Sequence, residues 1–204
     1  MQSEKLIVII PGSKTKESNL PLLRSLLKRF YAHFGIEVEE DHWIEPLRSH
    51  LASTQANTMV FEWTGGISLR SARKAAQDLQ EVLRTRGEQE VILFGKSLGG
   101  TIAELAAQDT RLPIKRVIAV ATPHSRFTKS PSSIELINIY SPADNYLRLA
   151  GRILFFGFGT LPVRGARNIS LPGLRHSDFN HNLDVEYEDR KQKLFDFYRA
   201  LITI

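Results

Sequence analysis

Apolar residues are distributed along the chain in two patterns. Short continuous runs occur at Lys5 to Ile10 (KLIVII), Thr58 to Trp63 (TMVFEW), Val91 to Phe94, Arg116 to Ala121 (RVIAVA) and Glu135 to Tyr140 (ELINIY). Each is followed closely by a turn former: Pro11-Gly12, Gly65-Gly66, Gly95, Pro123 or Pro142. Runs of this length, rich in β-branched residues and closed by Gly or Pro, predict strands. Between them apolar residues recur at helical spacing. Leu22, Leu23, Leu26, Leu27, Phe30 and Phe34 mark a helix over Leu20 to Phe34, with Pro21 in its first turn and Gly35 at its stop. Leu69, Ala72, Ala76, Leu79, Val82 and Leu83 mark a second over Ser68 to Arg86, closed by Gly87. Leu98 to Gln108 predicts a third, rich in small residues, and Val185 to Ile202 a last one. Ile36 to Ile44 is mixed, and Leu147 to Pro172 reads as irregular, rich in Gly and aromatic residues.

Strands that are apolar without alternation are covered on both faces. Strands that alternate with amphipathic helices build a parallel sheet with helices on both sides. The expectation is an α/β fold of about five strands in a single domain over residues 1–204, with the chemistry where strands end. A chain of 204 residues can bury roughly 70% of its unfolded surface, so it needs no staples.

Composition narrows the chemistry. There are 0 Cys, which removes disulfides, thiolate metal sites and a Cys nucleophile together. The polar start and the short run Leu6 to Ile10 do not read as a secretory signal. No stretch approaches the ~18 apolar residues of a membrane span, and a cytoplasmic protein is expected. The formal net charge is +5. Arg148, Arg152, Arg164, Arg167 and Arg175 all lie between Asn145 and Ser177, where there is no Asp or Glu. A local excess of this kind is not the basic stripe of a nucleic-acid binder, and no nucleic-acid partner is expected.

The most informative stretch is Val91-Ile92-Leu93-Phe94-Gly95-Lys96-Ser97-Leu98-Gly99-Gly100, a strand, a G-x-S-x-G and a helix. A Ser on a tight strand-to-helix turn is thrust out of the backbone at the strand's carboxyl end. Flanking glycines are needed where a Cβ would clash, and the helix N-terminus offers free N–H groups to a developing oxyanion. Gly95-Lys96-Ser97 also matches the tail of a phosphate-binding loop, but that pattern requires Gly where Glu90 stands. A tight turn without chemistry is the other alternative. With these residues the chain resembles the α/β-hydrolase family, in particular its small lipase-like and esterase-like members, over nearly its whole length. Trp63-Thr64-Gly65-Gly66 is similar to a W-[ST]-G stretch of lipase-like relatives. Ala121-Thr122-Pro123-His124 resembles a lipase T-P-H segment, and Arg175-His176-Ser177-Asp178-Phe179-Asn180 the family's H-S-D-F region.

A Ser hydroxyl needs a base, and the base an orienting acid. The resemblance implies the chain order Ser, acid, His. Asp144, in the loop after the ELINIY strand, fits as the acid, with an Asx-type turn residue as the alternative. Asp109 precedes that strand, and Asp178 and Asp184 follow His176. His33, His42 and His50 precede Ser97, and His124 precedes Asp144. His176 is the expected base and His181 the alternative. The resemblance also implies an oxyanion hole from the Leu98 N–H and a donor on the loop after the first strand, here Ser13. Pro11-Gly12 stands there in place of the relatives' His-Gly. Lys96 stands where a His is common; it would bias substrate charge or lie in solvent. His124 reads as a substrate-side or packing residue.

Ile153 to Gly159, with Phe155 and Phe156, lies between the expected acid and base. Residues 147–171 are therefore read as a short lid or substrate-binding wall, or as core under a long loop. Arg148, Arg152, Arg164 and Arg167 would favour an anionic substrate portion or surface, or serve as surface charge. The resulting expectation is a cofactor-free, metal-free serine hydrolase of the lipase or esterase kind, acting on a small-molecule acyl ester through Ser97, Asp144 and His176. A thioesterase on the same residues and a non-catalytic binding protein on the same fold are the alternatives.

Overall fold

A computed structural model describes residues 5–13, 42–54, 56–124, 133–148 and 162–203. The helix expected over Leu20 to Phe34 lies outside them. The centre is a six-stranded parallel sheet of β1 (Lys5–Ile10), β2 (Asn57–Val60), β3 (Glu90–Lys96), β4 (Ile114–Val120), β5 (Glu135–Tyr140) and β6 (Arg167–Ser170), in the order β2-β1-β3-β4-β5-β6. Helix α1 (Ile44–Leu51) leads to β2, α2 (Leu69–Arg84) joins β2 to β3, α3 (Leu98–Ala106) follows β3, and α4 (Leu194–Thr203) comes last.

The continuous apolar runs are two alternating faces superposed. In β1, Ile7 and Ile9 belong to a layer under α1 and α4, while Leu6, Val8 and Ile10 belong to one under α2 and α3. β3 divides likewise, with Ile92 and Phe94 on the first face and Val91 and Leu93 on the second. Helix α2 packs through Ala72, Ala75, Ala76, Leu79 and Leu83. Leu69 and Val82, expected on that face, are instead exposed: Leu69 opens the helix and Val82 lies at the margin of a stripe narrowed by its alanines. The start of α2 is fixed by Ser68, whose Oγ accepts from the Ser71 N–H at 3.1 Å. At the other end of the sheet, Lys5 and Arg116 donate to the Ile202 and Leu201 carbonyls at the end of α4, where cations complement the helix dipole.

Three expectations are corrected. The sheet has six strands rather than about five, because β6 runs through part of the segment read as irregular. Only Ile169 of its four residues is buried, so it carries no apolar run. The helix expected from Val185 is a two-stranded antiparallel hairpin, β7 (Asp184–Tyr187) and β8 (Arg190–Lys193), and helix begins only at Leu194. Glu188 and Asp189 turn the hairpin with φ of 51° and 60°, the pair of positive values a tight hairpin turn requires. Helix α1 was not expected, since the stretch before it is mixed and its buried residues are three, Ile44, Leu47 and Leu51.

β1 lies between β2 and β3 in the sheet, so the chain leaves the carboxyl ends of β1 and β3 in different directions. In open parallel sheets that switch point is where a crevice forms. The loop after β1 and the turn after β3 both open there.

Candidate active site

Ser97 stands between β3 and α3 with φ of 53° and ψ of −128°, a conformation that costs a non-Gly residue about 1–3 kcal/mol. Its N–H donates to the Val120 carbonyl at 2.9 Å, which ties the turn to β4. Ala121, the residue after β4, is also strained, with φ of 44°, and its N–H donates to Ile139 O at 2.8 Å. Two strained turns thus lie side by side at the carboxyl ends of β3 and β4.

The glycines around Ser97 are required by close approach. A Cβ on Gly95 would fall on the Gly99 and Gly100 backbone, and one on Gly99 would meet the carbonyls of Ile10 and Pro11. Helix α3 therefore lies directly against both its own strand and the end of β1. Across the crevice a Cβ on Gly12 would be 3.2 Å from Ser97 Cβ. The loop that carries Ser13 thus borders Ser97, and Leu98 is the first residue of α3. Trp63 holds that loop in place: its indole N–H donates to Pro11 O at 3.0 Å. The role of the tryptophan in the W-T-G-G stretch is thereby visible. It braces the loop after β1 from the loop after β2.

Asp144 and His176 meet although 32 residues separate them. The His176 Nδ1–H donates to Asp144 Oδ2 at 2.8 Å. Asp144 is 0% exposed, and its other carboxylate oxygen, Oδ1, accepts from the Leu147 N–H at 2.9 Å. That bond caps the short helical turn after β5, so the acid serves both the turn and the imidazole. His176 follows β6 and is itself buried. Its ring lies against Tyr146, with centroids 4.6 Å apart. Nothing in the sequence singled out Tyr146 beyond its place two residues after Asp144. Burial holds the imidazole below its ordinary pKa; the Asp144 charge and hydrogen bond oppose that shift, and the Lys96 charge adds to it. Among the described residues Ser97 Oγ makes no hydrogen bond, a common state for a site without substrate.

The remaining expected residues fall in different places. Lys96, for which solvent was one expected setting, is 7% exposed. His124 is 2% exposed; its Nε2 faces Asn138 Oδ1 at 2.9 Å and its Nδ1 faces Glu104 at 3.0 Å. Asn138 in turn donates to Asn168 of β6, and Asn168 is held by Val163 and Ala166 backbone groups. This polar chain runs from α3 to the edge strand, and His124 is a packing residue within it. Arg148 follows Asp144 by one turn, and Arg164 and Arg167 lie before and at the start of β6; all three are exposed. His181 is exposed and follows the 3₁₀ turn of Asp178–Asn180. Phe155, Phe156 and Arg152 lie outside the described residues, as does most of the expected lid. No helix among the described residues is long and apolar enough to cross a membrane.

No protein-family model and no curated protein matches the chain. Solved structures do. A lipase-esterase related protein from Clostridium acetobutylicum is similar over 98% of this chain and 93% of its own, with a TM-score of 0.56 at 9% identity. A monoacylglycerol lipase from Paleococcus ferrophilus is similar over 99% and 94%, with a TM-score of 0.54 at 15% identity. This chain has the α/β-hydrolase fold. A third structure on the α/β-hydrolase fold, an α/β serine hydrolase without lid from Xanthomonas campestris, is similar over 99% and 80%, with a TM-score of 0.51 at 14% identity. At such identities the likeness is one of fold, and an activity on this α/β-hydrolase scaffold has to be argued from its own site.

Proposed function

We propose that the protein is a serine hydrolase that cleaves a carboxylic ester through an acyl-enzyme. The observation that carries this reading is the buried Asp144–His176 bond of 2.8 Å, formed at the end of the sheet where Ser97 is held in its strained turn. Ser97 Oγ attacks the carbonyl carbon while His176 Nε2 takes its proton. Asp144 keeps the Nδ1–H tautomer and stabilises the imidazolium that forms. The tetrahedral oxygen is held by the backbone N–H groups of Leu98 and Ser13, which act with the N-terminal end of α3. His176 returns the proton to the leaving alcohol as the C–O bond breaks. Water then attacks the acyl-Ser97 ester by the same proton path, which releases the acid and restores the hydroxyl. No step needs a metal or an organic cofactor.

A fluorophosphonate probe tests the reading. The native protein should be labelled at one site, and labelling should vanish in Ser97→Ala and fall severely in His176→Ala. A parallel panel of acyl esters and acyl thioesters of increasing chain length then identifies the substrate class. A folded native protein that neither labels nor turns over any member of the panel would refute the proposal. In that case a binding role on the same fold would take its place.

A further inference from the structure

One short turn meets the His176 imidazole in two places. Asp144 Oδ2 accepts from its Nδ1 edge at 2.8 Å. Tyr146, two residues on, reaches the ring itself, with centroids 4.6 Å apart and planes at 50°. Two rings lying edge to edge could not come so close, so a ring face is engaged. Both side chains are buried.

The turn is braced from within. Ser141 Oγ accepts from the Ala143 N–H at 3.1 Å. The Ser141 carbonyl accepts from the Asp144 N–H at 3.1 Å, and the Asp144 carbonyl from the Arg148 N–H at 3.2 Å. Asp144 Oδ1 accepts from the Leu147 N–H at 2.9 Å. Tyr146 and Leu147 enter the apolar layer that also contains Leu171 and Phe179, which lie on either side of His176 in the chain. Acid and aromatic ring are thus fixed relative to each other, and the His176 loop is rooted in the same layer.

A hydrogen bond at one edge sets a distance and leaves the tilt of the imidazole plane open. A second ring packed against it removes that freedom. The contact also has an electrostatic sense. An aromatic ring attracts a cation within about 6 Å of its centroid, more strongly where water is excluded. Neutral imidazole gains less than imidazolium. The contact is therefore stronger once His176 has taken the Ser97 proton than before, which is what acceleration requires. The charged groups nearby are Asp144 at Nδ1, Lys96 on β3, Arg148 at the end of the turn, and Arg175 and Asp178 on the His176 loop. All of them remain when Tyr146 is replaced.

We propose that Tyr146 is a positioning residue for the hydrolysis. Its ring sets the plane of the His176 imidazole and favours the imidazolium that forms as Ser97 attacks. The inference rests on the reading of His176 as the base for Ser97.

The test compares native protein with Tyr146→Phe, Tyr146→Leu and Tyr146→Met. The rate of labelling by an uncharged fluorophosphonate is followed across pH, the His176 ring is titrated by NMR, and the urea midpoint reports folding. Tyr146→Phe keeps the aromatic ring and should label within threefold of native, with its titration unmoved. Leu and Met fill much of the space without an aromatic face, and Met adapts to irregular gaps. In whichever of them folds, plateau labelling should slow by roughly 3–30-fold. The acid limb and the ring titration should move to lower pH by about half a unit or more. The direction separates this role from packing alone. Burial holds the imidazole below its ordinary pKa, so a loosened pocket that admits water would move the titration to higher pH. An upward or absent shift in the Leu and Met variants would overturn the inference, as would a native plateau rate. A Phe variant as slow as the Leu variant would overturn it too, because the hydroxyl rather than the ring would then be responsible. Native protein that is labelled at no pH would instead refute the Ser97–His176 reading and, with it, the function given to Tyr146.

Discussion

Replacement of Gly99 by alanine tests whether the close approach of α3 to β1 is what assembles the crevice. An ideal Cβ there would lie 2.6 Å from the Pro11 carbonyl oxygen and 2.8 Å from the Ile10 carbonyl carbon. The Ile10 carbonyl oxygen is nearer still. A comfortable separation is about 3.5 Å, so helix and strand end must part by more than ~1 Å. All three obstacles are backbone atoms, which cannot swing aside as a side chain can. The Pro11 oxygen is also fixed from the other direction by the Trp63 indole. Overpacking of this kind costs about 1–3 kcal/mol. With a urea m-value of about 2–3 kcal/mol/M, the unfolding midpoint should fall by roughly 0.3–1.5 M. The functional effect should be larger, because the displaced parts carry Leu98 and Ser13. A misplacement of ~1 Å can cost on the order of 10²-fold in rate. The assay is the second-order rate of fluorophosphonate labelling, measured beside the urea midpoint. Gly87→Ala is the control: its Cβ meets nothing within 4 Å, so stability should be unchanged or raised by about 0.4–1 kcal/mol. If Gly99→Ala kept the native labelling rate and midpoint, the contact between α3 and the end of β1 would not be what Gly99 supplies.

Asp144→Asn should leave the protein folded and slow labelling by about 10³–10⁴-fold, because the imidazole loses the partner that fixes its tautomer; a rate within threefold of native would remove Asp144 from the mechanism. His176 takes up a proton less readily in the folded state than the ordinary imidazole of an unfolded chain, chiefly through burial. As pH falls through ~6.5 the unfolded chain is therefore protonated first, and stability should decline until the folded-state imidazole titrates. Urea midpoints from pH 8 to 5 should show this decline in native protein and less of it in His176→Gln; equal slopes in the two would exclude His176 as its source. Asn138→Ala strands the His124 Nε2–H in the interior, at about 1–3 kcal/mol for a buried group, while Asn168 Oδ1 keeps the Val163 N–H. Its urea midpoint should fall while the labelling rate of the folded fraction stays native, and an unchanged midpoint would mean that the polar chain does not hold the edge strand.

The parts legible in the sequence are those governed by local rules. A run such as KLIVII reads as a strand covered on both sides because successive residues serve different layers, and both layers here are apolar. The turn of Ser97 is legible because glycine is demanded at Gly95 by the backbone of Gly99 and Gly100, four and five residues on. The misread elements lack such signals. β6 presents one buried residue in four. The β7–β8 hairpin is too short for its alternation to stand out, and Glu, Lys, Arg and Gln, good helix formers, fill it. Lys96 was ambiguous because its setting depends on which face of β3 it occupies and on what covers that face.

Sequence alone determined that strands and helices alternate, that the sheet is parallel, and that one Ser stands on a strand-to-helix turn. Tertiary structure decided which side chains meet there. Of six His, the resemblance and chain order point to His176, but its hydrogen bond to Asp144 depends on where the ends of β5 and β6 lie in the sheet. The same holds for Tyr146 against the imidazole, Trp63 against the Pro11 carbonyl, and His124 turned inward to Glu104 and Asn138. Each is a contact between elements far apart in the chain, brought together by sheet order and burial, and neither is written in the residues on either side.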